Sequence, residues 1–277
     1  MLYVYLVASA ALLPILNNFF NVFGSPNSWW LVPLLFIGFF LGFAIIHLGL
    51  FFLTFALIRK NSPPEKCARF YRFIIKYSLP LLLWFARVDI NLSGIEPDEI
   101  SKDEKMLFVC NHQCVLDPVI MMEVFLDHDI GFIGKKDICT TMPFIAKCMA
   151  KLYGVFIDRE NDREAAKSII QAIRILKEEK ASIGLFPEGY TSKTCELLPF
   201  RNGSFKIALK AKAPIVVCVL NNTRILPKRI FRRKTEVDFK IISVIRPEEY
   251  EGMNTAELGD MIHEMMEKSY NEIRNKD

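Results

Sequence analysis

The sequence predicts an α/β protein with a mainly parallel central sheet flanked by helices, and with an N-terminal membrane-anchoring helical segment. Beyond residue 100, short apolar runs alternate with helical patterns, and this alternation is typical of βαβ units. Those runs are apolar nearly throughout, as expected for strands that are covered on both faces. The first 58 residues contain no Asp, Glu, Lys or Arg, although the chain has 35 basic and 31 acidic residues. The anchor is predicted from that uncharged stretch.

Residues 1–58 are predicted to form a transmembrane hairpin anchor. The apolar run from Trp29 to Ile58 exceeds the roughly 20 residues that a membrane helix needs. A second run, from Leu2 to Phe23, is interrupted by Pro14. The residues directly after Met1 include no Lys or Arg, whereas a cleaved leader begins with basic residues. We therefore interpret both runs as anchors.

Residues 59–92 are predicted to be basic amphipathic helices lying in the membrane interface, with a core helix of the globular domain as the alternative. The segment 59–87 carries seven basic residues and one acidic residue. By the positive-inside rule, this segment and the domain at 93–277 lie on the cytosolic face of the membrane. The same concentration of positive charge indicates membrane lipids, anionic ones in particular, as partners.

Charge and cysteine content argue against two other classes of protein. A formal net charge of +4 is too small to indicate a nucleic-acid partner. The chain has seven cysteines and no C-x-x-C pair, which fits a reducing compartment and argues against a zinc site. No cluster of metal ligands appears, so we expect neither a metal nor a redox cofactor.

The strands and helices are predicted from short apolar runs and from helical periodicity. Residues Asn161 and Glu164 form a capping-box pattern before a helix with an apolar face, and residues 255–274 repeat that helical periodicity. The predicted strands are residues 106–110, 130–134, 153–157, 182–186, 214–220 and 237–245. In α/β proteins the chemistry lies where strands end and helices begin, and the candidate site residues below follow strands.

The stretch "CNHQCVLDP" places His112 directly after a predicted strand, with Asp117 five residues later. Asp117 and Pro118 are typical of the first residues of a helix, with Asp117 as its N-cap. A loop of this length can also bring the Asp117 carboxylate to Nδ1–H of His112, which leaves Nε2 free as a base. The residues alone leave a catalytic pair and an ordinary capped turn equally open.

Two further stretches carry residues suited to an anion. In "FPEGYTSKTCELLPFRNG", Glu188 and Gly189 form a turn that Lys193 and Arg201 follow, and glycine turns near basic side chains can receive a phosphate. A plain turn with a solvated loop is the alternative. Arg159 follows the strand in "GVFIDREN", where a surface ion pair is its alternative role.

Four motifs occur in the chain order of the glycerolipid acyltransferases. They are NHxxxxD at 111–117, GVFIDR at 154–159, FPEG at 186–189 and APIVVCVL at 213–220. The chain therefore resembles the bacterial-type 1-acylglycerol-3-phosphate (lysophosphatidate) acyltransferases over about residues 93–225 and in its anchored N-terminus. The resemblance implies an acyltransferase catalytic domain at 93–277.

The resemblance also implies roles for individual residues. His112 would be the general base on the acceptor hydroxyl, and Asp117 would orient it. Arg159 would bind the acceptor phosphate, while Glu188 and Gly189 would shape the pocket. Lys136 would contribute positive charge, and the fourth motif would be structural. The co-substrate would be an acyl-CoA or an acyl-carrier-protein thioester, with no further cofactor.

One departure from the family pattern concerns the acceptor. Tyr190 stands where the family usually has Thr, and Thr191 stands where it has an Arg that contacts phosphate. Lys193 or Arg201 would have to supply the missing charge. Lysophosphatidate is the expected acceptor, and another lysophospholipid or glycerol 3-phosphate is the alternative.

Two rival functions stay open at this point. Cys110 and Cys114 flank His112, so a cysteine nucleophile could form an acyl-enzyme. The altered FPEG motif would also suit a membrane-anchored lipid-binding protein without catalytic activity.

Overall fold

The structure, a computed structural model, describes residues 2–25, 28, 30–58, 68–192, 194 and 196–274. Its helices are α1 (Leu2–Phe20), α2 (Leu31–Ala56), α3 (Ala68–Ala86), α4 (Asp117–Val124), α5 (Ile138–Thr141), α6 (Pro143–Lys151), α7 (Asp162–Lys177), α8 (Lys206–Ala211), α9 (Leu226–Arg229) and α10 (Thr255–Arg274). Its strands are β1 (Val88–Gly94), β2 (Leu107–Val109), β3 (Ile130–Lys135), β4 (Val155–Ile157), β5 (Ser182–Leu185), β6 (Ile215–Asn221) and β7 (Thr235–Ile245). Each of the predicted strands overlaps an observed one.

Within the described residues, seven strands form one sheet in the order β1-β7-β6-β2-β5-β3-β4. Neighbouring strands are parallel except β6 and β7, which pair antiparallel. The prediction of an α/β fold with a mainly parallel sheet is therefore confirmed. Because β2, β4 and β5 run in the same direction, the segments after them meet at one edge of the sheet. Those segments contain His112, Arg159 and Glu188.

Helices cover both faces of the sheet, which explains why its central strands are apolar on both sides. On one face, which we call the α7 face, α7, α8 and α10 pack against Val109, Ile183 and Ile215. On the other, the α4 face, α3 and α4 pack against Phe108 and Val216. Successive side chains of a strand point to opposite faces, so the neighbours Phe108 and Val109 belong to separate cores.

The two N-terminal helices are long and apolar enough to cross a membrane. The spans Tyr3–Phe20 and Leu31–Ala56 have mean hydropathies of 1.5 and 2.5, and few of their residues are buried inside the protein. Helix α2 contacts α1, α3 and α6, so this pair of helices stands beside the α4 face. These features favour the predicted membrane anchor.

Helix α3 forms most of the segment predicted to lie in the interface. It is one continuous helix in spite of Pro80, and it is amphipathic. One side buries Ile75 and Leu79, while Phe73 and Trp84 are exposed on the other. One side of α3 therefore packs on the domain, as expected for a core helix. The other side presents aromatic side chains outward, as expected for an interfacial helix.

The predicted interfacial segment 59–92 differs from the structure at its ends. Residues 59–67 lie outside the described residues. Residues 88–92 belong to β1, so the helical prediction is wrong there. Arg87 has a φ of 58°, which ends the helix, and the chain then alternates apolar and polar residues along β1. That alternation is typical of an edge strand, and β1 pairs in parallel with β7.

Candidate active site

His112 lies in the loop between β2 and α4, and Asp117 holds its ring. The predicted contact is present: Nδ1 of His112 is 2.8 Å from Oδ2 of Asp117. An ionised carboxylate only accepts hydrogen bonds, so Nδ1 carries the proton and Nε2 is left as an acceptor. Asp117 is fully buried, whereas the His112 side chain is 20% exposed and stacks on Phe186 at 4.5 Å between ring centroids. The imidazole is therefore fixed but accessible.

The Asp117 carboxylate organises the preceding loop and does not cap its own helix. The predicted N-cap role is wrong: Leu116 occupies the N-cap position of α4, without a side-chain cap, and Asp117 is the first helical residue. Oδ2 of Asp117 accepts from the backbone N–H of Gln113 at 2.6 Å and of Cys114 at 2.8 Å. The carboxylate turns back because three donors, those two and His112, converge on it there.

The residues on either side of His112 fix the loop to distant elements. The Asn111 side chain donates to the carbonyl of Leu220 at 2.9 Å and accepts from its N–H at 2.8 Å. Gln113 Nε2 donates to the Tyr270 hydroxyl at 2.8 Å, which ties the loop to α10. Asn111, Gln113 and Tyr270 are buried. These contacts cannot be predicted from the sequence, because the partners lie more than 100 positions apart in the chain.

Glu188 joins the FPEG turn to the loop that carries His112. Its Oε1 accepts from the backbone N–H of His112 at 2.8 Å, and its Oε2 accepts from that of Leu198 at 3.2 Å. The side chain is 3% exposed, and burial raises the pKa of its carboxyl to about 7, although these two hydrogen bonds oppose the rise. A carboxylate repels phosphate, so Glu188 shapes the pocket through the backbone of His112.

The raised pKa of Glu188 predicts a stability that falls with pH. The folded protein binds this proton more tightly than an unfolded chain, whose Glu pKa is about 4.3. The stabilisation is complete below about pH 4.3 and is lost as pH rises through about 7. In Glu188→Gln, the amide does not titrate. We expect the melting temperature of the wild type to fall more between pH 5 and pH 8 than that of the variant.

Thermal unfolding in one detergent at both pH values measures this difference. Glu267→Gln on α10, whose side chain is exposed, is the matched control and should follow the wild type. An equal pH dependence in the Glu188 variant and the wild type would show that the buried carboxyl is already ionised at pH 5.

Two arginines converge beside Gly189. Gly189 has a φ of +76°, and a Cβ there would lie 3.0 Å from Cδ of Arg201 and 3.7 Å from Cζ of Arg159. The Tyr190 ring contacts both guanidinium groups, at 5.4 Å from Arg159 and 5.1 Å from Arg201. Nη2 of Arg201 donates to the Tyr190 hydroxyl at 3.0 Å. Burial, and secondarily the charge of Arg201, lower the pKa of Arg159.

This pair of arginines is arranged so that it could receive an anion. Among the described residues, neither Arg159 nor Arg201 lies within ion-pair distance of a carboxylate. Two like charges are therefore adjacent, and an anion between them would relieve their repulsion. The family usually has an arginine at the position of Thr191, and in this structure Arg201 lies nearby, beside Gly189. Thr191 itself lines the neighbouring cavity.

The other two basic residues predicted for the site, Lys136 and Lys193, are not part of this arginine pair. Lys136 forms an ion pair with Asp158 at 3.2 Å, and its side chain is 61% exposed. Its neighbour Lys135, and not Lys136, lines the cavity described next. Lys193 lies outside the described residues. The positive charge that the structure places at Gly189 therefore comes from the two arginines.

A cavity of about 560 Å³ opens beside His112 on the α4 face. Its walls are mostly apolar and come from α3, α4 and α6, and Phe51 and Phe52 of α2 also line it. His112, Arg159 and Tyr190 line the same cavity, whereas Arg201 does not. One apolar cavity therefore reaches both the His112 ring and the proposed membrane anchor. This volume is typical of a small-molecule site.

The two cysteines that flank His112 are poorly suited to nucleophilic attack. Cys110 is fully buried and Cys114 is 5% exposed. Burial raises the pKa of Cys114 to about 12 and that of Cys110 well above its usual value, and the thiolate is the reactive form. The Sγ atom of Cys114 accepts from the N–H of Leu116 at 3.2 Å. No group of three or more His, Cys, Asp and Glu in the described part of the chain could hold a metal.

The fold and this site define an α/β protein, with apolar N-terminal helices, in which a His–Asp pair adjoins a cationic pair and an apolar cavity. A family model described as "Acyltransferase" matches residues 91–221. The 1-acyl-sn-glycerol-3-phosphate acyltransferase of Haemophilus influenzae is 30% identical over 198 residues, which are 69% of this chain and 80% of that protein. The chain therefore belongs to the acyltransferase family, and the resemblance stated from its motifs is confirmed.

Other relatives agree with this assignment. Proteins named 1-acyl-sn-glycerol-3-phosphate acyltransferase from Borreliella burgdorferi and Cocos nucifera are 28% and 29% identical, over 70% and 66% of this chain. The match spans 78% of the first protein and only 58% of the second. The crystal structure of the 1-acyl-sn-glycerophosphate acyltransferase from Thermotoga maritima shares the fold, with a TM-score of 0.61, 23% identity and coverage of 83% of this chain and 89% of that one.

Proposed function

We propose that this protein transfers a fatty acyl group from an acyl thioester to the free hydroxyl of lysophosphatidate, forming phosphatidate. The observation that carries the proposal is that three features adjoin one another. They are the His112–Asp117 pair, the two arginines beside Gly189, of which Arg159 lines the cavity, and the apolar cavity walls, which include residues of α2. These features match a base, a phosphate and an acyl chain respectively.

In the proposed reaction, Nε2 of His112 accepts the proton of the lipid hydroxyl as its oxygen attacks the thioester carbonyl carbon. The tetrahedral intermediate then collapses, the carbon–sulfur bond breaks, and the imidazolium returns the proton to the leaving thiolate. Asp117 holds Nδ1–H at 2.8 Å and stabilises the imidazolium that forms between the two steps. The products are an ester and a free thiol, and no acyl-enzyme is required.

The arginine pair binds the acceptor phosphate in this proposal. Guanidinium groups bind phosphate through two parallel hydrogen bonds, and Arg159 and Arg201 approach the same point from different segments. The Tyr190 ring lies against both groups and limits how they can move. Lys136 and Lys193 are left with supporting electrostatic roles.

The location of the reaction follows from the anchor. Both the acceptor and the product are amphiphiles, and a cavity that leads from α2 to His112 lets their chains stay close to the lipid phase. We place the catalytic domain on the cytosolic face, because seven basic residues lie in 59–87. Membrane lipids and an acyl-CoA or acyl carrier protein are then the partners, and the thioester is the only co-substrate.

An acceptor and donor panel on the purified full chain tests the proposal. Lysophosphatidate, other lysophospholipids and glycerol 3-phosphate are each paired with acyl-CoA and with acyl carrier protein. We expect phosphatidate from lysophosphatidate at the highest kcat/KM. A higher kcat/KM with another acceptor would mean that this acceptor, and not lysophosphatidate, is the substrate. No ester from any pair would favour a lipid-binding protein without catalytic activity.

A further inference from the structure

A second groove, of about 550 Å³, lies on the α7 face of the sheet. It and the cavity beside His112 share Ile133, Arg159, Phe186 and Gly189 in their walls, and Arg201 lines the groove alone. Arg159, Phe186 and Gly189 follow β4 and β5, at the edge where the two faces of the sheet meet. The groove and the cavity are therefore neighbours that open on opposite faces of the sheet.

The two walls of this groove differ in chemistry. Helix α7 supplies an apolar wall that includes Ala166, Ile169 and Ile170, and Ile170 is 55% exposed. Helix α8 contributes Lys206 and Lys210 to the lining, and these two residues lie one turn apart on the same side of the helix. Both lysines are exposed, and neither forms an ion pair within the part of the chain that the structure describes. Among the described residues, Asp162 is the one carboxylate that lines the groove.

We propose that this groove binds the coenzyme A portion of the acyl donor, an inference that rests on the proposed acyl transfer. The pantetheine arm of CoA is uncharged and partly apolar, and it would lie along the α7 wall. The phosphates of its nucleotide are anionic, and they would lie against Lys206 and Lys210. The thioester end would pass Phe186 and Gly189 to reach Nε2 of His112.

The arrangement separates two substrates of different solubility. The cavity beside His112 lies on the α4 face, next to α2 and α3, so a lipid can enter from the membrane. The groove lies across the sheet from those helices and opens away from them. A water-soluble donor can therefore approach without displacing the lipid. The concave shape and the volume fit a nucleotide-sized ligand better than the surface of a carrier protein, which needs a broad contact area.

Binding of free CoA to the full-length protein in detergent tests this assignment without turnover. We expect Lys206→Glu/Lys210→Glu to raise the Kd of CoA at least about 10-fold, since two attractive charges become repulsive. Ala166→Trp should weaken binding to a similar extent by narrowing the groove from its apolar wall. The KM for acyl-CoA should rise in parallel, while that for lysophosphatidate stays within about twofold.

The matched control is Lys177→Glu/Lys268→Glu, which makes the same change in net charge at exposed positions outside the groove and should bind CoA like the wild type. Equal CoA affinity in the groove variants, the control and the wild type would overturn the assignment. So would a wild type that uses acyl carrier protein and does not bind CoA. CoA binding that depends on Lys206 and Lys210, without ester formation from any acceptor, would support the groove and reject the proposed reaction.

Discussion

The His112→Ala protein is expected to transfer acyl groups about 10²–10⁴-fold more slowly than the wild type, with little change in the KM for either substrate. General-base assistance is worth a factor of this size, and the imidazole that we propose as the base lines the cavity. Among the described residues that line this cavity, His112 is the one histidine. Initial rates of phosphatidate formation at saturating substrate measure the effect.

Asp117→Asn separates orientation of the imidazole from its presence. An amide oxygen can still accept from the N–H of Gln113 or Cys114, so the loop has a way to keep its shape. Its uncharged side chain no longer stabilises an imidazolium, so we expect a large loss in kcat that falls short of the loss in His112→Ala. Initial rates of phosphatidate formation at saturating substrate, measured beside those of His112→Ala, give the size of this loss.

His263→Ala provides the matched control for the loss of a histidine. His263 lies on α10 and packs against Phe200 at 4.7 Å between ring centroids, away from the cavity. The variant should retain nearly wild-type kcat. If His112→Ala keeps at least half of the wild-type activity while its circular dichroism is unchanged, general-base catalysis by His112 is wrong.

The sequence predicted the features that depend on nearby residues. The strand runs were correct because a doubly covered strand must be apolar along its length, whatever its neighbours are. The contact between His112 and Asp117 was predictable because five residues of loop limit where the carboxylate can go. Each of these features is set by physical constraints that act over a few positions.

The features that the sequence did not predict depend on partners far along the chain. The pairing of β1 with β7 joins segments 147 residues apart, and the sequence near residue 88 contains no sign of that partner. The Gln113–Tyr270 bond joins the loop that carries His112 to α10. An Asp directly before a proline predicts an N-cap, but the Asp117 carboxylate instead accepts from three donors of the preceding loop.

The convergence of the arginines is an intermediate case. The missing arginine at position 191 indicated that another cation had to replace it, and Arg201 was one of two candidates. Only the fold shows that Arg201 returns to Gly189, where its backbone N–H donates to the carbonyl of Pro187 at 2.8 Å. That backbone contact fixes the start of the side chain beside Arg159, ten residues beyond Thr191.

The second large effect is expected when both arginines are removed. Arg159→Ala and Arg201→Ala should each raise the KM for lysophosphatidate about 10-fold or more, because a hydrogen bond to a charged group contributes roughly 1.5–3 kcal/mol. In the double variant, the KM for lysophosphatidate should rise by nearly the product of the two single factors, unless both groups bind the same phosphate oxygen. The KM for the acyl donor should change much less in Arg159→Ala.

A monoacylglycerol acceptor, which lacks the phosphate, distinguishes phosphate binding from a general disturbance of the pocket. The arginine variants should use it about as well as the wild type does, so that the preference for lysophosphatidate shrinks with each substitution. Arg174→Ala, at an exposed position near the end of α7, should leave that preference intact. Equal losses towards the two acceptors would mean that Arg159 and Arg201 maintain the turn at Gly189 and do not contact the phosphate, and the acceptor would then have to be recognised elsewhere in the cavity.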